Sequence, residues 1–203
     1  MALGQHQYVR RSIRLRGYDY SRAGAYFVTI CTGRHACLFG EILDSEMHLN
    51  HVGRIVKDEW FRTGTLRTHV RVLPQEFVVM PNHVHGIVWF LDLAVDAASA
   101  QTSIGAPVVL TDTPSSPRPE TIARPAGPPR GSLAALLAGF KGASTKRVNA
   151  EGVTSGASIW QRGYYEHVIR NDQSLDEIRR YIAENPARWA VDRENPSCRG
   201  DRW

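Results

Sequence analysis

The chain has 203 residues, 42% of them hydrophobic, and its five Trp, seven Tyr and six Phe suffice for one domain with a buried core. The formal net charge of +5 and the sequence pI of about 9.4 favour an anionic partner, nucleic acid first, although ordinary solubilising charge explains both values equally well. The three cysteines are odd in number and lack zinc-type spacing, so they indicate neither a disulfide scaffold nor a structural zinc site. No apolar run of roughly 18 residues and no apolar leader is present, which argues against a membrane span and a signal peptide. We therefore expect a soluble, cytoplasmic protein.

The first predicted elements are a strand, a helix and a second strand. Residues 24–33 are rich in β-branched and aromatic side chains, which is typical of a strand. Residues 48–67 carry apolar side chains at helical spacing and predict a helix: Val52, Ile55, Val56 and Trp60. Residues 70–79 predict a second strand that Pro74 and Gln75 interrupt.

The next stretch, VVMPNHVHGIVWF, predicts a turn at Pro81-Asn82 and a third strand over 83–91. Its two histidines, His83 and His85, are two residues apart, so on a strand they share one face. Two imidazoles side by side on an otherwise apolar strand need an explanation.

Residues 91–130 differ from the rest of the sequence. They hold seven of the eleven prolines and no aromatic residue. Such a segment cannot bury enough apolar surface to offset its ordering entropy. We interpret it as a flexible insertion that tolerates changes in length.

After the insertion, residues 132–149 predict a helix and residues 158–170 a fourth strand. The order is then strand–helix–strand–strand–helix–strand. This order predicts an α+β fold, a ferredoxin-like antiparallel sheet (βαββαβ) with two helices on one face. The strand with the two histidines is central in that topology, and the whole chain, 1–203, forms one domain.

A C-terminal helix is predicted over 174–189; it opens with a capping box, Ser174 and Glu177, and continues until Pro186. Tyr181 and Asn185 are four residues apart and project from one side of it.

The histidine pair suits a metal ion, because a shared cation satisfies both rings at once. If the helix side with Tyr181 faces the histidine strand, Asn185 can supply an amide oxygen, and Mg²⁺ or Mn²⁺ suits such a mixed site. Two plainer interpretations stay open. The histidines can be hydrogen-bonded core residues, and Tyr181 and Asn185 can be a core side chain and a helix cap.

Five motifs of the sequence together resemble the single-tyrosine HUH transposases, and within them the REP-associated tyrosine transposases. These motifs are His83-Val-His85, YDYSRAGAYFVTICT, LAGFKGASTKRVN, IWQRGYYEHVIRN and IRRYIAENPARW. The resemblance covers residues 8–190 except the insertion. It implies a metal-dependent transesterification on single-stranded DNA at hairpin-forming repeats. His83, His85 and Asn185 would hold the divalent metal, Mg²⁺ or Mn²⁺, and Tyr181 would be the nucleophile that forms a 5′-phosphotyrosine. It also implies a nucleoid-associated monomer or homodimer.

Basic side chains are the predicted contacts to DNA phosphates. One group lies near the N-terminus and the other in the second half of the chain: Arg10, Arg11, Arg14 and Arg16; Lys141, Lys146, Arg147, Arg162 and Arg170. Ordinary surface charge explains these residues equally well.

Three other functions compete. A replication-type HUH nickase is disfavoured because the C-terminal helix carries one tyrosine and the chain has no room for a helicase. An RNA-binding sheet is disfavoured because the strands lack the RNP1 pattern. A catalytically inactive protein that only binds nucleic-acid hairpins stays open.

Overall fold

Four antiparallel strand pairings define the central five-stranded sheet. The computed structural model describes residues 18–92, 127–154 and 156–198, and in it β1 (Gly24–Cys31) pairs antiparallel along its whole length with β6 (His83–Phe90). The other edge of β1 pairs with β7 (Tyr165–Ile169). The apolar, β-branched composition of β1 and β6 fits their central, doubly covered positions.

The other edge of β6 pairs with two short strands, β4 (Val70–Arg71) and β5 (Phe77–Val79). The predicted strand at 70–79 is therefore split, because Pro74 opens a 3₁₀ turn, Pro74–Glu76, that leaves the sheet and returns to it. The order across the sheet is β7–β1–β6–β4/β5, which is the ferredoxin-like order. The predicted α+β class is confirmed.

Two helices cover one face of the sheet and a third covers the other. α1 (His51–Thr65) and α2 (Leu133–Ala150) pack with the inward side chains of β1 and β6 into the main core. On the opposite face, α3 (Asp172–Glu184) packs Leu175 and Ile182 into a smaller cluster with Phe27 and Ile87. Among the residues described, no helix combines the length and the apolar composition needed to cross a bilayer.

A hairpin before α1 was not predicted. β2 (Gly40–Leu43) and β3 (Glu46–Leu49) pair through a two-residue turn in which Asp44 and Ser45 have φ of 51° and 66°. This is the turn geometry that favours Asn-Gly, and Asp-Ser signals it weakly. The helix predicted from residue 48 instead begins at His51, because the side chain of Asn50 accepts from the Gly53 amide at 2.9 Å.

The ends of two other elements also differ from prediction. The fourth strand is shorter than 158–170, because Gly163 at φ +80° interrupts it and only one isolated bridge, Thr32 to Trp160, forms before β7. Ser174 is not the N-cap of α3. Asn171 is, and its Oδ1 accepts from the Ser174 amide at 2.8 Å. The helix ends at Glu184, and residues 186–191 form a 3₁₀ helix.

Most of the predicted insertion, residues 93–126, lies outside the described residues. Its two flanks come together: Phe90 at the end of β6 and Arg130 before α2 line one small cleft of about 210 Å³. The amide of Leu91 donates to the carbonyl of His69 at 2.9 Å, which holds the first flank to the sheet.

Gly86, between His85 and Ile87, lets an aromatic ring approach the sheet. A Cβ at this position would lie 2.4 Å from Cζ2 of Trp60 and 3.0 Å from Cδ2 of Phe77. These two rings stack 4.6 Å apart in the core between α1 and the sheet. Gly86 therefore sets the spacing of α1 above the histidine strand.

We expect Gly86→Ala to lower the free energy of unfolding by about 2 kcal/mol, because overpacking forces the Trp60 ring to move. Urea unfolding measures the loss. The matched control is Gly142→Ala in α2, where a Cβ meets nothing within 4 Å; it should be neutral or stabilising by up to about 1 kcal/mol. An unchanged unfolding free energy in Gly86→Ala would contradict this account of the core.

A candidate metal and nucleophile site

The two histidines of β6 point their Nε2 atoms at each other. These atoms lie 3.0 Å apart, on the face of the sheet covered by α3, and both side chains are buried. The other ring nitrogens have partners. Nδ1 of His83 lies 2.8 Å from Oδ1 of Asn82, and Nδ1 of His85 lies 2.8 Å from Oγ1 of Thr29. Because an amide oxygen only accepts, Nδ1 of His83 carries the proton and its Nε2 offers a lone pair.

Both imidazoles are neutral. Burial, and then the nearby charge of His35, lowers the pKa of His83 to about 3. Burial, and then His83, lowers the pKa of His85 well below its ordinary value. Neutral imidazole is the form that binds a metal.

The donor set fits a divalent cation. Two nitrogens about 2.1 Å from one ion at a right angle are about 3.0 Å apart, which matches the observed Nε2 separation. A carboxylate oxygen completes a group of three: Oδ2 of Asp192 lies 3.8 Å from Nε2 of His83. Two imidazoles and a carboxylate suit Mn²⁺, Mg²⁺ or Zn²⁺.

Sequence reasoning missed Asp192. It follows the 3₁₀ helix Pro186–Val191, which brings the chain back across the end of the sheet after α3 stops. Nothing in the spacing around it signals a ligand, since its distance in sequence from His83 is more than 100 residues.

The side of α3 that carries Tyr181 faces the histidine strand. Its Oη lies 3.3 Å from Nε2 of His85, and its ring packs edge-on against Phe27 and His85. The side chain is 39% exposed, so a ligand can reach it. Burial, and then the charge of Asp192, raises the pKa of Tyr181, while the Asn185 side chain opposes the rise. The phenol is therefore protonated at neutral pH.

Asn185 lies one turn beyond Tyr181, at the C-cap of α3, and is 1% exposed. Its Oδ1 is buried and accepts no hydrogen bond from the described residues. An orphaned buried acceptor costs about 1–3 kcal/mol unless something satisfies it, and a cation does so. This observation fits the predicted ligand role of Asn185, which stays a prediction.

One open cleft of about 690 Å³ is lined by the candidate site residues Tyr181, Asn185, His85 and Asp192. Two cationic side chains that the sequence did not single out, Arg188 and Arg193, line it too, as does Tyr165 of β7, which is 42% exposed. The cleft therefore brings together a phenol, the imidazole of His85, the carboxylates of Asp192 and Glu194, and two guanidinium groups.

Two of the predicted phosphate contacts border a different cleft. Lys141 and Lys146 border a separate cleft on α2, on the other side of the sheet. Nζ of Lys141 donates to the carbonyls of Gln161 and Gly163 at 2.6 and 3.1 Å, so it holds that loop.

Arg147 bridges α2 to α1, with Nη1 2.8 Å from Oε1 of the buried Glu59. Arg162 and Arg170 are exposed. The N-terminal group lies outside the described residues: Arg10, Arg11, Arg14 and Arg16. A role of these side chains in DNA binding stays a prediction.

An ion pair between the partly exposed Arg179 of α3 and the buried Glu76 anchors α3 to the sheet. Arg179 donates from Nη2 and Nε to Oε1 of Glu76 at 2.6 and 2.9 Å, and Trp89 of β6 donates to Oε2 at 2.7 Å. Glu76 is fully buried, and its hydrogen bond raises the pKa of Arg179. The pair lies half a turn from Tyr181 and fixes the helix that presents it.

We expect Arg179→Met to lower the free energy of unfolding by about 3 kcal/mol, because it leaves the buried carboxylate of Glu76 without its charged partner. Urea unfolding measures this. The control is Arg188→Met, whose guanidinium pairs with an exposed Glu184 at 2.7 Å and should cost less than about 1 kcal/mol. Equal losses in the two variants would mean that the anchor is no stronger than a surface ion pair.

The fold is similar to that of a solved tyrosine transposase. The structure of a REP-associated tyrosine transposase bound to a REP hairpin superposes with a TM-score of 0.52 at 16% identity, over 87% of this chain and 74% of that one. At the level of the fold, this confirms the resemblance that the sequence motifs indicate.

The chain belongs to the same protein family as an uncharacterized protein of Haemophilus influenzae (strain ATCC 51907 / DSM 11121 / KW20 / Rd). The two are 36% identical over 190 residues, which cover 90% of this chain and 91% of the relative. No family model matches the sequence.

Proposed function

We propose that this protein is a metal-dependent transposase and endonuclease that cleaves and rejoins single-stranded DNA at hairpin-forming repeats through a 5′-phosphotyrosine on Tyr181. The observation that carries the proposal is the approach of Tyr181 Oη to within 3.3 Å of His85 Nε2 in an open cleft. Packing in the core alone does not account for a tyrosine hydroxyl that lies at a cleft surface within hydrogen-bonding distance of a buried imidazole pair.

In the proposed reaction, Oη of Tyr181 attacks the scissile phosphorus. The bond between phosphorus and the 3′-oxygen breaks, the phenol proton is lost, and the leaving oxygen gains a proton to become a 3′-hydroxyl. The ester on Tyr181 conserves the phosphodiester energy, so a second 3′-hydroxyl can attack it and rejoin DNA without ATP.

The chain's own groups position the strand. His83, His85 and Asp192, with Asn185 as a further oxygen donor, would hold a divalent cation, which supplies Lewis-acid polarisation of the phosphate. Arg188 and Arg193 line the cleft where neighbouring phosphates would lie and neutralise their charge. The ion pair of Arg179 with the buried Glu76 keeps the phenol in place while the strand binds.

The test uses a single-stranded hairpin oligonucleotide with Mn²⁺, followed by denaturing electrophoresis. Because the proposed ester joins Tyr181 to a 5′-phosphate, a 3′-end label should migrate with the protein and a 5′-end label should appear on a shorter DNA with a 3′-hydroxyl. EDTA, or the same sequence as a perfect duplex, should suppress both products. Hairpin binding without any adduct would support an inactive hairpin-binding protein instead.

A further inference from the structure

A second cluster of metal-binding side chains lies at the end of β1, beside the site already described. Sγ of Cys31 and Nδ1 of His35 approach the same carboxylate oxygen, Oε2 of Glu194, at 3.6 and 3.0 Å. One ligand atom from each of the three side chains lies within 4.8 Å of the others. Cys31 is buried, and the other two are partly exposed at the surface.

The backbone is strained where it presents His35. The 3₁₀ turn Gly33–His35 holds Arg34 and His35 at φ of 56° and 53°, which non-glycine residues rarely adopt. A hydrogen bond of 2.8 Å from Oγ1 of Thr32 to the Ala36 carbonyl closes the turn. Such strain persists only where the surroundings impose it, and it is concentrated at functional sites.

Asn82 holds the two sides of the cluster together. Its Nδ2 donates to the carbonyl of His35 at 3.0 Å and to that of Glu194 at 2.7 Å. Its Oδ1 accepts from His83. The buried side-chain amide of Asn82 therefore fixes two of the three cluster residues, His35 and Glu194, and also the first histidine of the other site.

The distances suit a tetrahedral thiophilic ion. With bonds of about 2.3 Å to sulfur and about 2.1 Å to oxygen or nitrogen, tetrahedral geometry places sulfur and oxygen about 3.6 Å apart and nitrogen and oxygen about 3.4 Å apart. The observed separation of sulfur from Glu194 Oε2, 3.6 Å, matches this value. The separation of His35 Nδ1 from the same oxygen, 3.0 Å, is shorter by about 0.4 Å, so these two atoms would move slightly apart when an ion binds.

We propose that Cys31, His35 and Glu194 form a second cation site, separate from the histidine pair, that binds Zn²⁺ or another thiophilic divalent ion. The site does not depend on the proposed function of Tyr181. Binding as a thiolate releases the proton of Cys31 to solvent.

The site has a mechanical role. Glu194 is two residues after Asp192, in the segment that follows α3. An ion that joins Glu194 to β1 through Cys31 would fasten this segment to the sheet and hold the carboxylate of Asp192 next to His83. The cluster would supply three protein ligands to such an ion.

Co²⁺ titration of the full-length, metal-stripped protein tests the proposal, because only a cobalt–sulfur bond gives a near-ultraviolet charge-transfer band. Wild type should develop the band, and Zn²⁺ should displace it. Cys31→Ser should abolish it, and the double variant His83→Ala/His85→Ala should keep it. The matched control is Cys37→Ser, which removes an exposed thiol of the same loop and should leave the band unchanged.

A second readout does not depend on the thiol. Competition with a chelating dye should show Zn²⁺ affinity about tenfold or more weaker in Glu194→Gln, a partly exposed and isosteric change that leaves the fold intact. No charge-transfer band in wild type would overturn the proposal and leave His35 and Glu194 as a plain ion pair. A band that survives Cys31→Ser, or unchanged Zn²⁺ affinity in Glu194→Gln, would overturn it equally.

Discussion

Tyr181→Phe should form no covalent protein–DNA adduct, while its affinity for a single-stranded hairpin stays within about twofold of wild type. The substitution removes only the oxygen that, in the proposed reaction, attacks phosphorus, and the ring still packs against Phe27 and His85. The loss therefore falls on chemistry and not on binding or folding. Denaturing electrophoresis with a 3′-labelled hairpin and Mn²⁺ measures the adduct, and a gel-shift assay at fixed salt measures affinity.

Tyr165→Phe is the matched control. Tyr165 lines the same cleft, is exposed to a similar degree and contacts the same phenylalanine ring. It lies on β7, and no hydrogen bond to the imidazole pair is observed for it among the described residues. This variant should keep most of the adduct. If adduct formation survives in Tyr181→Phe and vanishes in Tyr165→Phe, the nucleophile is Tyr165 on β7 and not Tyr181.

The double variant His83→Ala/His85→Ala should lose cleavage by a factor on the order of 10³ or more and keep most of its hairpin affinity. The two neutral imidazoles offer the nitrogens that the proposed cation needs, and they are buried beneath the cleft surface where DNA would bind. Strand cleavage under Mn²⁺ titration measures the first effect, and a gel shift measures the second.

His167→Ala is the control for that variant, because His167 is an exposed imidazole on β7 that borders a different cleft. It should cleave like wild type. Because the removed histidines are buried, urea unfolding must show that the double variant is folded. If hairpin binding falls as much as cleavage does, the pair supports the structure and not the reaction.

Features that depend on short, regular periods were predictable from the sequence. The two-residue period of a strand was enough to place His83 and His85 on one face, and the central position of their strand followed from the order of elements. The four-residue spacing of Tyr181 and Asn185 on α3 was read in the same way. The observed approach of Tyr181 to His85 then required only that this side of the helix face the sheet.

Features that depend on turns and on distant contacts were not predictable. The hairpin before α1 turns on Asp44 and Ser45, which lack the glycine that marks such turns. Asp192 reaches His83 only because the chain folds back after Pro186, and no local spacing encodes that return. The convergence of His35 and Glu194 through one amide of Asn82 likewise joins three separate parts of the chain.

The Pro-rich stretch, residues 91–130, begins where β6 ends, and this position has a practical consequence. The strand runs eight residues from His83 to Phe90, about 23 Å at 3.3 Å per residue, so the stretch departs from the end opposite the imidazoles. Its flanks return to one small cleft, where Phe90 meets Arg130. Closing a longer loop there costs only about 0.6 kcal/mol for each doubling of its length. This makes the junction a suitable insertion point, where a reporter domain can be added far from the candidate metal and nucleophile site at the other end of β6.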